Sequence, residues 1–513
     1  MMKKTCLIIV FLLLLAMPFT VSAENGTVPG GTVTDVDTLA EAFGGSEYCL
    51  VRENGIFLIG DCVLSSPVVI DGAELNVEGG GCSITSAEGG SLFVLRNGAS
   101  LRLGNTAAAA ASEAVILSGN NGKGDSLITV DASSTLTVCQ GAIIENNISD
   151  SDGGAVFSLG TVIMQNGTIS NCRSAGKGGA IYCEGKLTLN GGKISSVSAS
   201  EGGAVYGNEK SEIMLTGTEI LSASAENGGA VFSSGKVILS ASSISGSEAK
   251  NGGAFYISGE FDVAGGQMLN CKASENGGAL FNAGKTDILN GYISDCKAEN
   301  GGAVFNSGEL SYAGGYIEKS SAEKGGLIYN GGNFVHLDGN LASGTASLGG
   351  AVFNEGTFSH SSGSLLLNKA DFGTAIFNLG TLSFPDYPYI DPKYDVFMAV
   401  NCENCGIVCD SVPPAASVAR LTVGKYENGK AVPFCEEGIT VITGSEVKAA
   451  SEHFALSDYG SSSWKLVDGK TVRVKKLTEK PLFYILLVLA YIAVITAIAL
   501  PIIIHDKKKA SRA

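Results

Sequence analysis

The sequence predicts an all-β fold, a right-handed parallel β-helix with three short strands per coil and about 24 residues per coil. The pair Gly-Gly recurs at 153, 178, 202, 228, 252, 277, 301, 325 and 349, with Gly373-Thr374 as a degenerate tenth copy. Steps of 24 to 26 residues are typical of solenoids. Glycine is abundant, at 70 of 513 residues, and no repeat has room for a crossover helix. Successive coils must therefore pair through parallel strands about 4.8 Å apart.

Each position of the repeat carries its own residue type. A small residue, an aliphatic residue and then an aromatic residue follow each glycine pair. The aromatic column consists of Phe157, Tyr182, Tyr206, Phe232, Tyr256, Phe281, Phe305, Tyr329, Phe353 and Phe377. In the last five copies an asparagine follows the aromatic residue, at Asn282, Asn306, Asn330, Asn354 and Asn378. Because side chains alternate along a strand, the aliphatic residues and the asparagines share one side.

This alternation leaves two arrangements. If aliphatic residues such as Val156 and Val304 point inward, the asparagines form a buried amide ladder and the aromatic column is an exposed stacked stripe. That arrangement is favoured, and it makes the aromatic column the candidate binding face. The alternative places the aromatic residues in the core.

Both ends of the chain carry export and membrane signals. Lys3 and Lys4 precede an apolar run from Cys6 to Phe19, and Val21-Ser22-Ala23 supplies a small-residue cleavage pattern, which together predict a signal peptide at 1–23. Residues 481–504 are apolar and uncharged, long enough for a transmembrane helix, and a basic cytoplasmic tail follows at 505–513. We therefore expect a type I single-pass protein of the plasma membrane, with its N-terminus and ectodomain outside the cell.

The mature body divides into three predicted parts. Residues 24–47 form an N-terminal cap with a short helix near 38–43. Residues 48–384 form the β-helix, irregular up to 152, with a loop or one helical turn at 107–111, and regular from 153. Residues 385–480 form a small β-rich module that caps the last coil, with turns at Asn428-Gly429 and Asp468-Gly469.

The charge of the body excludes some partners. Without the signal peptide and tail, 28 of the 34 lysines and arginines and 49 of the 50 acidic residues remain, a net charge of −21. Such a surface repels nucleic acid and anionic lipid and favours cations.

Twelve cysteines lie outside the signal peptide, an even number that permits disulfides in an extracellular protein. Cys49 and Cys62 are spaced for a hairpin disulfide. Cys271 and Cys296 share a phase of the repeat, so stacking brings them together. Candidates for a disulfide module, favoured over a zinc site, are Cys402, Cys405, Cys409 and Cys435.

Two further groups of residues carry possible site chemistry. His336 and His360 share one phase and should stack as a neutral core pair, with a metal-binding or pH-sensitive pair as the alternative. Glutamates precede the glycine pairs at Glu201, Glu226, Glu248, Glu275, Glu299 and Glu323. Lysines interleave with them at Lys250, Lys272, Lys297 and Lys324, which favours a solvated turn edge over a Ca²⁺ site. The sequence contains no Walker loop, zincin motif or Ser-His-Asp order, so no catalytic, cofactor or metal residues are assigned.

The recurring Gly-Gly-Ala-[Val/Ile/Phe/Leu]-[Phe/Tyr]-Asn resembles the right-handed β-helix repeats of adhesin-like surface proteins. It is also similar to the Gly-Gly-Ala-Ile repeats of the polymorphic outer-membrane protein family. The resemblance covers 153–384 well and 48–152 loosely, and it implies a passenger β-helix that displays an adhesive face. This chain departs from the family at its C-terminus, where one predicted helix and a basic tail stand, which puts autotransport in doubt.

Two functions follow as hypotheses. The first is a membrane-anchored, adhesin-like display or binding rod that contacts host or matrix proteins or glycans and has no catalytic activity. The alternative is a polysaccharide lyase or hydrolase of the β-helix type, which needs convergent carboxylates. The regular coils show no such set, so the sequence favours a protein that is not an enzyme.

Overall fold

The computed structural model describes residues 26–105, 113–119, 123–386, 388–402, 405–411, 418–459, 462–474 and 481–510. These residues form an all-β, mostly parallel solenoid, so the predicted fold class is confirmed at that level. The predicted signal peptide at 1–23 and the predicted loop at 107–111 lie outside the described residues.

Each coil contributes one strand to each of three sheets, which run along the solenoid. Sheet 1 comprises Gly31–Val33, Val68–Asp71, Phe93–Arg96, Ile128–Val130, Val156–Ser158, Ile181–Cys183, Val205–Gly207, Val231–Ser233, Phe255–Ile257, Leu280–Asn282, Val304–Asn306, Ile328–Asn330, Val352–Asn354, Ile376–Asn378, Val396–Ala399, Ala419–Glu427, Lys430–Pro433 and Phe454–Leu456. Sheet 2 comprises Cys49–Arg52, Gly55–Leu58, Glu74–Gly79, Ser100–Leu103, Thr135–Cys139, Thr161–Gln165, Lys186–Asn190, Glu212–Thr216, Lys236–Ser240, Glu260–Val263, Lys285–Ile288, Glu309–Tyr312, Asn333–His336, Thr357–His360, Thr381–Ser383, Gly406–Val408 and Ile442–Thr443. Sheet 3 comprises Gly26–Val28, Cys62–Leu64, Cys82–Ser86, Val115–Ser118, Ala142–Glu145, Thr168–Ser170, Lys193–Ser195, Glu219–Leu221, Ser243–Ser245, Gln267–Leu269, Tyr292–Ser294, Tyr316–Glu318, Asn340–Ala342 and Ser364–Leu366.

Short pairings complete the strands. A narrow fourth edge contains Lys123–Gly124, Ile148–Ser149 and Arg173–Ser174, and further along Glu248–Asn251 and Lys272–Asn276. A separate antiparallel hairpin joins Ser463–Val467 to Lys470–Val474.

The pairing register equals the sequence period. Phe157 pairs with Tyr182 in sheet 1, and Leu187 pairs with Ile213 in sheet 2. Val156 and Ile181 are fully buried. The predicted inward direction of the aliphatic column is therefore confirmed, and one continuous apolar core runs inside the coils.

The glycine pair has two separate physical causes. The first glycine of each pair adopts a positive φ, between 61° and 75°, which side-chain-bearing residues avoid. The second glycine lies directly under the next coil, so that a Cβ at Gly179 would collide with the carbonyl oxygen of Gly203. Thr374 replaces the second glycine in the tenth pair, where the following coil presents Asp395, and the Thr374 hydroxyl donates to that carboxylate at 2.8 Å.

A second corner of the coil is also left-handed, and in the regular coils it holds glycine at Gly246 (φ 62°) and side-chain-bearing residues elsewhere. The side-chain-bearing residues at this corner have φ between 51° and 58° and are Asn171, Ser196, Ser222, Asn270, Asp295, Lys319, Ser343 and Leu367. The left-handed region costs most side chains about 1 kcal/mol or more, and asparagine tolerates it best.

Stacking begins before the predicted boundary at 48. Gly26–Val28 pairs with Cys62–Leu64, and Gly31–Val33 pairs with Val68–Asp71. The predicted short helix is present as α1, Val36–Ala42, followed by a 3-10 turn at Gly45–Glu47.

Helix α1 is fixed by its first turn and its buried face. Asp35 accepts a hydrogen bond from the backbone N–H of Thr38 at 2.8 Å, and the Thr38 hydroxyl accepts from the backbone N–H of Asp35. Leu39 and Phe43 are fully buried, and Phe43 lies 6.2 Å from the Phe93 ring. The helix thus packs its apolar side onto the first coils.

Stacking also continues beyond the predicted boundary at 384. Val396–Ala399 pairs in parallel with Ile376–Asn378, and Phe454–Leu456 pairs with Ala419–Glu427. The region predicted as a separate module therefore adds coils to the same sheets. Its two predicted turns are present, with positive φ at Asn428-Gly429 and Asp468-Gly469.

Two helices lie in the C-terminal region, α2 at Val447–Ser451 and α3 at Pro481–Ala510. The side chains that the structure describes in α3 are those of 484–498, 500 and 501. A search over the described residues identifies no helix with the length and apolar character that crossing a membrane requires.

Candidate functional site

The aromatic column lies on the outer side of sheet 1 as one continuous stack. Neighbouring ring centroids are 4.6 to 5.3 Å apart from Phe157 to Phe377, with interplanar angles of 4° to 23°. These distances match the spacing of parallel strands, because each ring rests on the ring of the coil below. The rings from Phe157 to Tyr329 are partly exposed, except for Tyr206, which is mostly buried.

The stacking decides what this stripe can bind. Each ring face is covered by the neighbouring ring, so the column presents ring edges to solvent. A sugar stacks on an aromatic residue through the ring face, which is not free here. The column therefore stabilises the solenoid, and as a binding face it offers edges and the tyrosine hydroxyl groups.

The C-terminal end of the stripe is covered. Phe353 and Phe377 are fully buried, which corrects the prediction of exposure for these two residues. The hairpin formed by Ala419–Glu427 and Lys430–Pro433 places Tyr426 edge-on against them, at 6.5 and 5.5 Å. Phe397 extends the stack by one ring, at 4.6 Å from Phe377.

The tyrosine hydroxyls of the stripe are held by charged neighbours. The Tyr182 hydroxyl donates to Glu184 Oε1 at 2.8 Å. Lys177 Nζ donates to the Tyr206 hydroxyl at 3.0 Å, lies 4.3 Å from the centre of that ring, and forms an ion pair with Glu201 at 3.0 Å.

A half-exposed amide ladder runs beside the stripe. Its members precede the glycine pairs, and each amide nitrogen donates to the amide oxygen of the preceding coil at 2.8 to 3.0 Å. They are Asn227, Asn251, Asn276 and Asn300. The same column holds Lys177 upstream and Lys324 downstream, and Lys324 lies 5.4 Å from the Phe353 ring. Sequence reasoning missed this ladder, although the repeated Asn-Gly-Gly was its signal.

The inner asparagine ladder is confirmed. Asn282, Asn306, Asn330, Asn354 and Asn378 are fully buried. The Nδ2 of each of the first four donates to the Oδ1 of the next at 2.6 to 2.7 Å and also to backbone carbonyls of the corner, and Asn378 Nδ2 donates to the carbonyl of Gly380. Because the preceding coil has Ile257 at this place, the first amide oxygen would lack a donor. The Thr286 hydroxyl donates this hydrogen bond to Asn282 Oδ1 at 2.9 Å. Thr286 is a polar residue in a column of sheet 2 that is otherwise mostly aliphatic or aromatic.

The outer face of sheet 2 carries a column of alternating charge that sequence reasoning missed. Its members are exposed and paired in register in the order Lys186, Glu212, Lys236, Glu260, Lys285 and Glu309. Exposed ion pairs of this kind contribute little stability. They make this strip nearly neutral in a strongly acidic chain.

Two carboxylates lie in register on the same face. Asp262 pairs with Asp287 on adjacent coils, about 4.8 Å apart along the solenoid. Each has a lysine partner, Lys236 at 3.3 Å and Lys285 at 3.4 Å, and roughly a third of each aspartate side chain is exposed. This is the nearest approach to the paired carboxylates that the enzyme alternative requires.

The histidine pair is stacked in the core, as the favoured prediction states. The rings of His336 and His360 are 4.8 Å apart, and the Tyr312 ring lies 5.1 Å from His336 on the other side. Both histidines are buried, and none of their four ring nitrogens has a hydrogen-bond partner among the described residues. Burial lowers the pKa of His336 to about 4 and that of His360 well below its usual value. Both rings are therefore neutral at pH 7.

The predicted disulfides are present only in part. Cys402 and Cys405 are bonded to each other. Cys49 and Cys62 are separate buried thiols, and so are Cys271 and Cys296, which corrects both predicted pairs. Cys409 is buried and Cys435 is half-buried.

Burial raises the pKa of most of the buried thiols, whereas a hydrogen bond with Cys296 lowers the pKa of Cys271. Burial raises the pKa of Cys62 to about 12 and that of Cys435 to about 11. A hydrogen bond to Cys271, together with burial, raises the pKa of Cys296 well above its usual value. Cys271 and Cys296 thus lie next to each other on adjacent coils, as predicted from their shared phase of the repeat, but they form no disulfide bond.

Some of the glutamates that precede the glycine pairs form ion pairs with lysines, for example Glu275 with Lys250 at 3.4 Å. Over the described ranges, no group of three or more His, Cys, Asp or Glu side chains is placed to hold a metal ion. Comparison of the chain with protein-family models, with curated proteins and with solved structures gives no match.

Proposed function

We propose that this protein is a non-catalytic display rod of the cell surface, of the adhesin-like kind, that binds host or matrix proteins or glycans through repeated weak contacts. The observation that carries the proposal is the uniform stacking. The fourteen strands of sheet 3 alone correspond to roughly 60 Å of stacked coils. Two outward columns repeat polar chemistry along the coils, the half-exposed amide ladder at intervals of one coil and the charge column in alternating sign.

Such a surface suits multivalent binding. A single half-exposed amide or charge binds weakly, but several equal contacts in a rigid row add as linked events with a high effective concentration. A rigid row also loses little conformational entropy on binding. We expect affinity to increase with the number of coils rather than to depend on one residue.

A deletion of one whole coil tests the proposal. Removing 301–324 joins Asn300 to Gly325 in the same phase, so the remaining coils can restack. The variant should fold, retain binding to cells or to a panel of matrix proteins and glycans, and bind somewhat more weakly. Removing only 301–312 shifts the strands out of phase and should prevent folding. Absence of binding by the full chain across the panel would refute the proposal.

We also propose that residues 481–504 anchor the rod in the plasma membrane with the basic tail inside. The proposal rests on the uncharged sequence of this segment and on Lys507, Lys508 and Lys509 after it. The large apolar side chains described in α3 are about half exposed or more, from Tyr484 to Leu500, without a core to cover them. In cells, the full chain should resist extraction by alkaline carbonate and dissolve in detergent, whereas a chain ending at 480 should be released.

A second candidate function is hydrolysis or lysis of a polysaccharide, favoured only by the pair Asp262 and Asp287. A spacing of about 5 Å is compatible with two cooperating carboxylates. Release of reducing ends from neutral or acidic polysaccharides, with and without Ca²⁺, would reveal such activity. Its loss in Asp262→Asn and in Asp287→Asn would assign it to this pair.

A further inference from the structure

A second set of aromatic residues lies on the outer side of sheet 3. Tyr292 and Tyr316 pair in register on adjacent coils, but their rings are 6.5 Å apart and inclined by 64°. Unlike the rings of the aromatic column, these two rings do not cover each other. Tyr316 is 51% exposed, and the ring of Tyr292 does not stack on it.

These tyrosines form one side of an open groove of about 440 Å³. The rest of the lining combines small residues and glycines with polar side chains, among them Ser243, Gln267 and Asn290. Ser243, Gln267 and Tyr292 occupy one outward column on three successive coils, a span of roughly 10 Å. The volume lies in the range of sites for small ligands, and the lining combines aromatic surface with amide and hydroxyl groups.

The hydroxyl group of Tyr292, a residue that lines this groove, has a fixed partner. Tyr292 donates to Glu318 Oε1 at 2.7 Å, and Lys319 Nζ holds the same oxygen at 2.6 Å. These contacts lower the pKa of Glu318, first through Lys319 and then through Tyr292. The orientation of the Tyr292 ring is thereby set before any ligand arrives.

Gly265 keeps the groove open without serving the fold. A Cβ at this position would have no neighbour closer than 3.9 Å, and the residue does not adopt a positive φ. Packing therefore leaves room for a side chain here, and the glycine leaves that space to the groove. This differs from the glycine pairs, where a Cβ collides with the backbone.

We propose that this groove binds a neutral oligosaccharide of pyranose rings, with one ring stacked on Tyr316 and its hydroxyl groups bonded to Gln267, Asn290 and Ser243. The inference rests on the proposed function and names one ligand class for it. Sugar rings present an apolar C–H face and a rim of hydroxyls, which the half-exposed ring of Tyr316 and the amides match. The described lining residues include no lysine or arginine, and the chain carries a net charge of −16, so acidic glycans are disfavoured.

The test uses the full chain in a zwitterionic detergent, because detergents with sugar headgroups would compete. Cellohexaose, maltohexaose and chitohexaose are titrated separately by calorimetry, with polygalacturonate as the acidic comparison. At least one neutral hexasaccharide should bind. Tyr316→Ala should weaken it by about tenfold or more, and Tyr316→Phe should retain it. Gly265→Leu should block it, although this change removes no ligand group.

Tyr389→Ala is the matched control, since Tyr389 is an equally exposed tyrosine, at 64%, outside the groove. Its affinity should equal that of the parent chain. Circular dichroism confirms that each variant is folded. Binding of the acidic polymer alone, or neutral binding unchanged in both Tyr316→Ala and Gly265→Leu, would overturn the proposal.

The same variants separate this inference from the proposed function. If the parent chain binds cells or matrix and both groove variants bind equally well, the rod function stands and the groove assignment fails. If the parent binds neither cells, matrix nor any glycan, both fail.

Discussion

The stacked histidines predict that this protein loses stability in mild acid. An unfolded histidine has a pKa near 6.5, and burial lowers the pKa of His336 to about 4. The folded state thus favours the neutral ring. Its stabilising contribution is complete above pH 6.5 and is lost as the pH falls from 6.5 towards 4, because only the unfolded state takes up the proton in that range.

The size of the effect follows from the same shift. Each pH unit in this window costs about 1.4 kcal/mol per histidine, so His336 alone contributes a loss of about 2 kcal/mol between pH 7.5 and pH 5. Burial shifts the pKa of His360 in the same direction, and its neighbour His336 adds to that shift. Tyr312 stacks on His336, and the nearby carboxylate of Asp338 weakly opposes the shift of His336.

The double variant His336→Leu, His360→Leu tests whether the stacked histidines cause this loss of stability in acid. Earlier coils hold Leu189, Leu215 and Leu239 in this column, fully buried, so leucine fits it. The free energy of unfolding is measured by guanidinium titration with far-ultraviolet circular dichroism at pH 7.5, 6 and 5. The parent should lose at least about 2 kcal/mol more than the double variant between pH 7.5 and 5.

His453→Leu serves as the control, since it removes a histidine that is only partly buried. It should keep the pH dependence of the parent. An equal loss of stability in the parent and the double variant would refute the assignment of the acid sensitivity to the stacked pair.

Three further substitutions test the roles of single positions in the coil by the same unfolding titration. Asn330→Ala should destabilise the protein by about 2 to 4 kcal/mol, because it leaves the amide oxygen of the next asparagine without its donor; a loss below about 1 kcal/mol would contradict the ladder. Leu367→Gly should stabilise the protein by about 0.5 kcal/mol, because φ is 57° at this position, whereas Leu366→Gly in the neighbouring strand should destabilise it. If both substitutions changed the free energy of unfolding in the same direction, the strain argument would be refuted. Gly326→Ala should cost several kcal/mol, because a Cβ meets the backbone of the next coil, whereas Gly331→Ala, with 3.7 Å of clearance, should cost little.

The repeat determined most of what the sequence could predict. The period fixed which residues stack, and strand alternation then placed Asn282 to Asn378 inside and the aromatic column outside. The turns at Asn428-Gly429 and Asp468-Gly469 were also readable, because these dipeptides favour positive φ at both positions. Each of these predictions depends only on local geometry and on contact between neighbouring coils.

Other features depend on ring planes and on distant segments, which a repeat does not encode. The rings of the aromatic column cover one another's faces because of their side-chain torsion angles, which the repeat pattern does not specify. The burial of Phe353 and Phe377 depends on Tyr426, which lies 73 and 49 residues further along the chain. The disulfide pair Cys49 and Cys62 was assigned from spacing alone, and spacing does not fix the direction of the side chains.

Some missed features did have a signal. Aligning the first residues of the sheet 2 strands gives Lys186, Glu212 and Lys236 in alternation. Aligning the first residues of the sheet 3 strands shows Tyr292 next to Tyr316. Thr286 is also visible as a polar residue in an apolar column. These positions required a complete alignment of the coils rather than of the glycine pairs.

The most direct test of in-register stacking is a distance measurement along one column. Spin labels are introduced through noncanonical amino acids, because the native cysteines would compete, at Lys186 with Glu309 and at Lys186 with Thr381. These pairs are separated by five and eight coils of sheet 2. Pulsed electron paramagnetic resonance should give distances of about 24 Å for the first pair and about 38 Å for the second, an increase of about 4.8 Å per coil. Distances that do not grow with the number of intervening coils would contradict the stacked solenoid and the rod function derived from it.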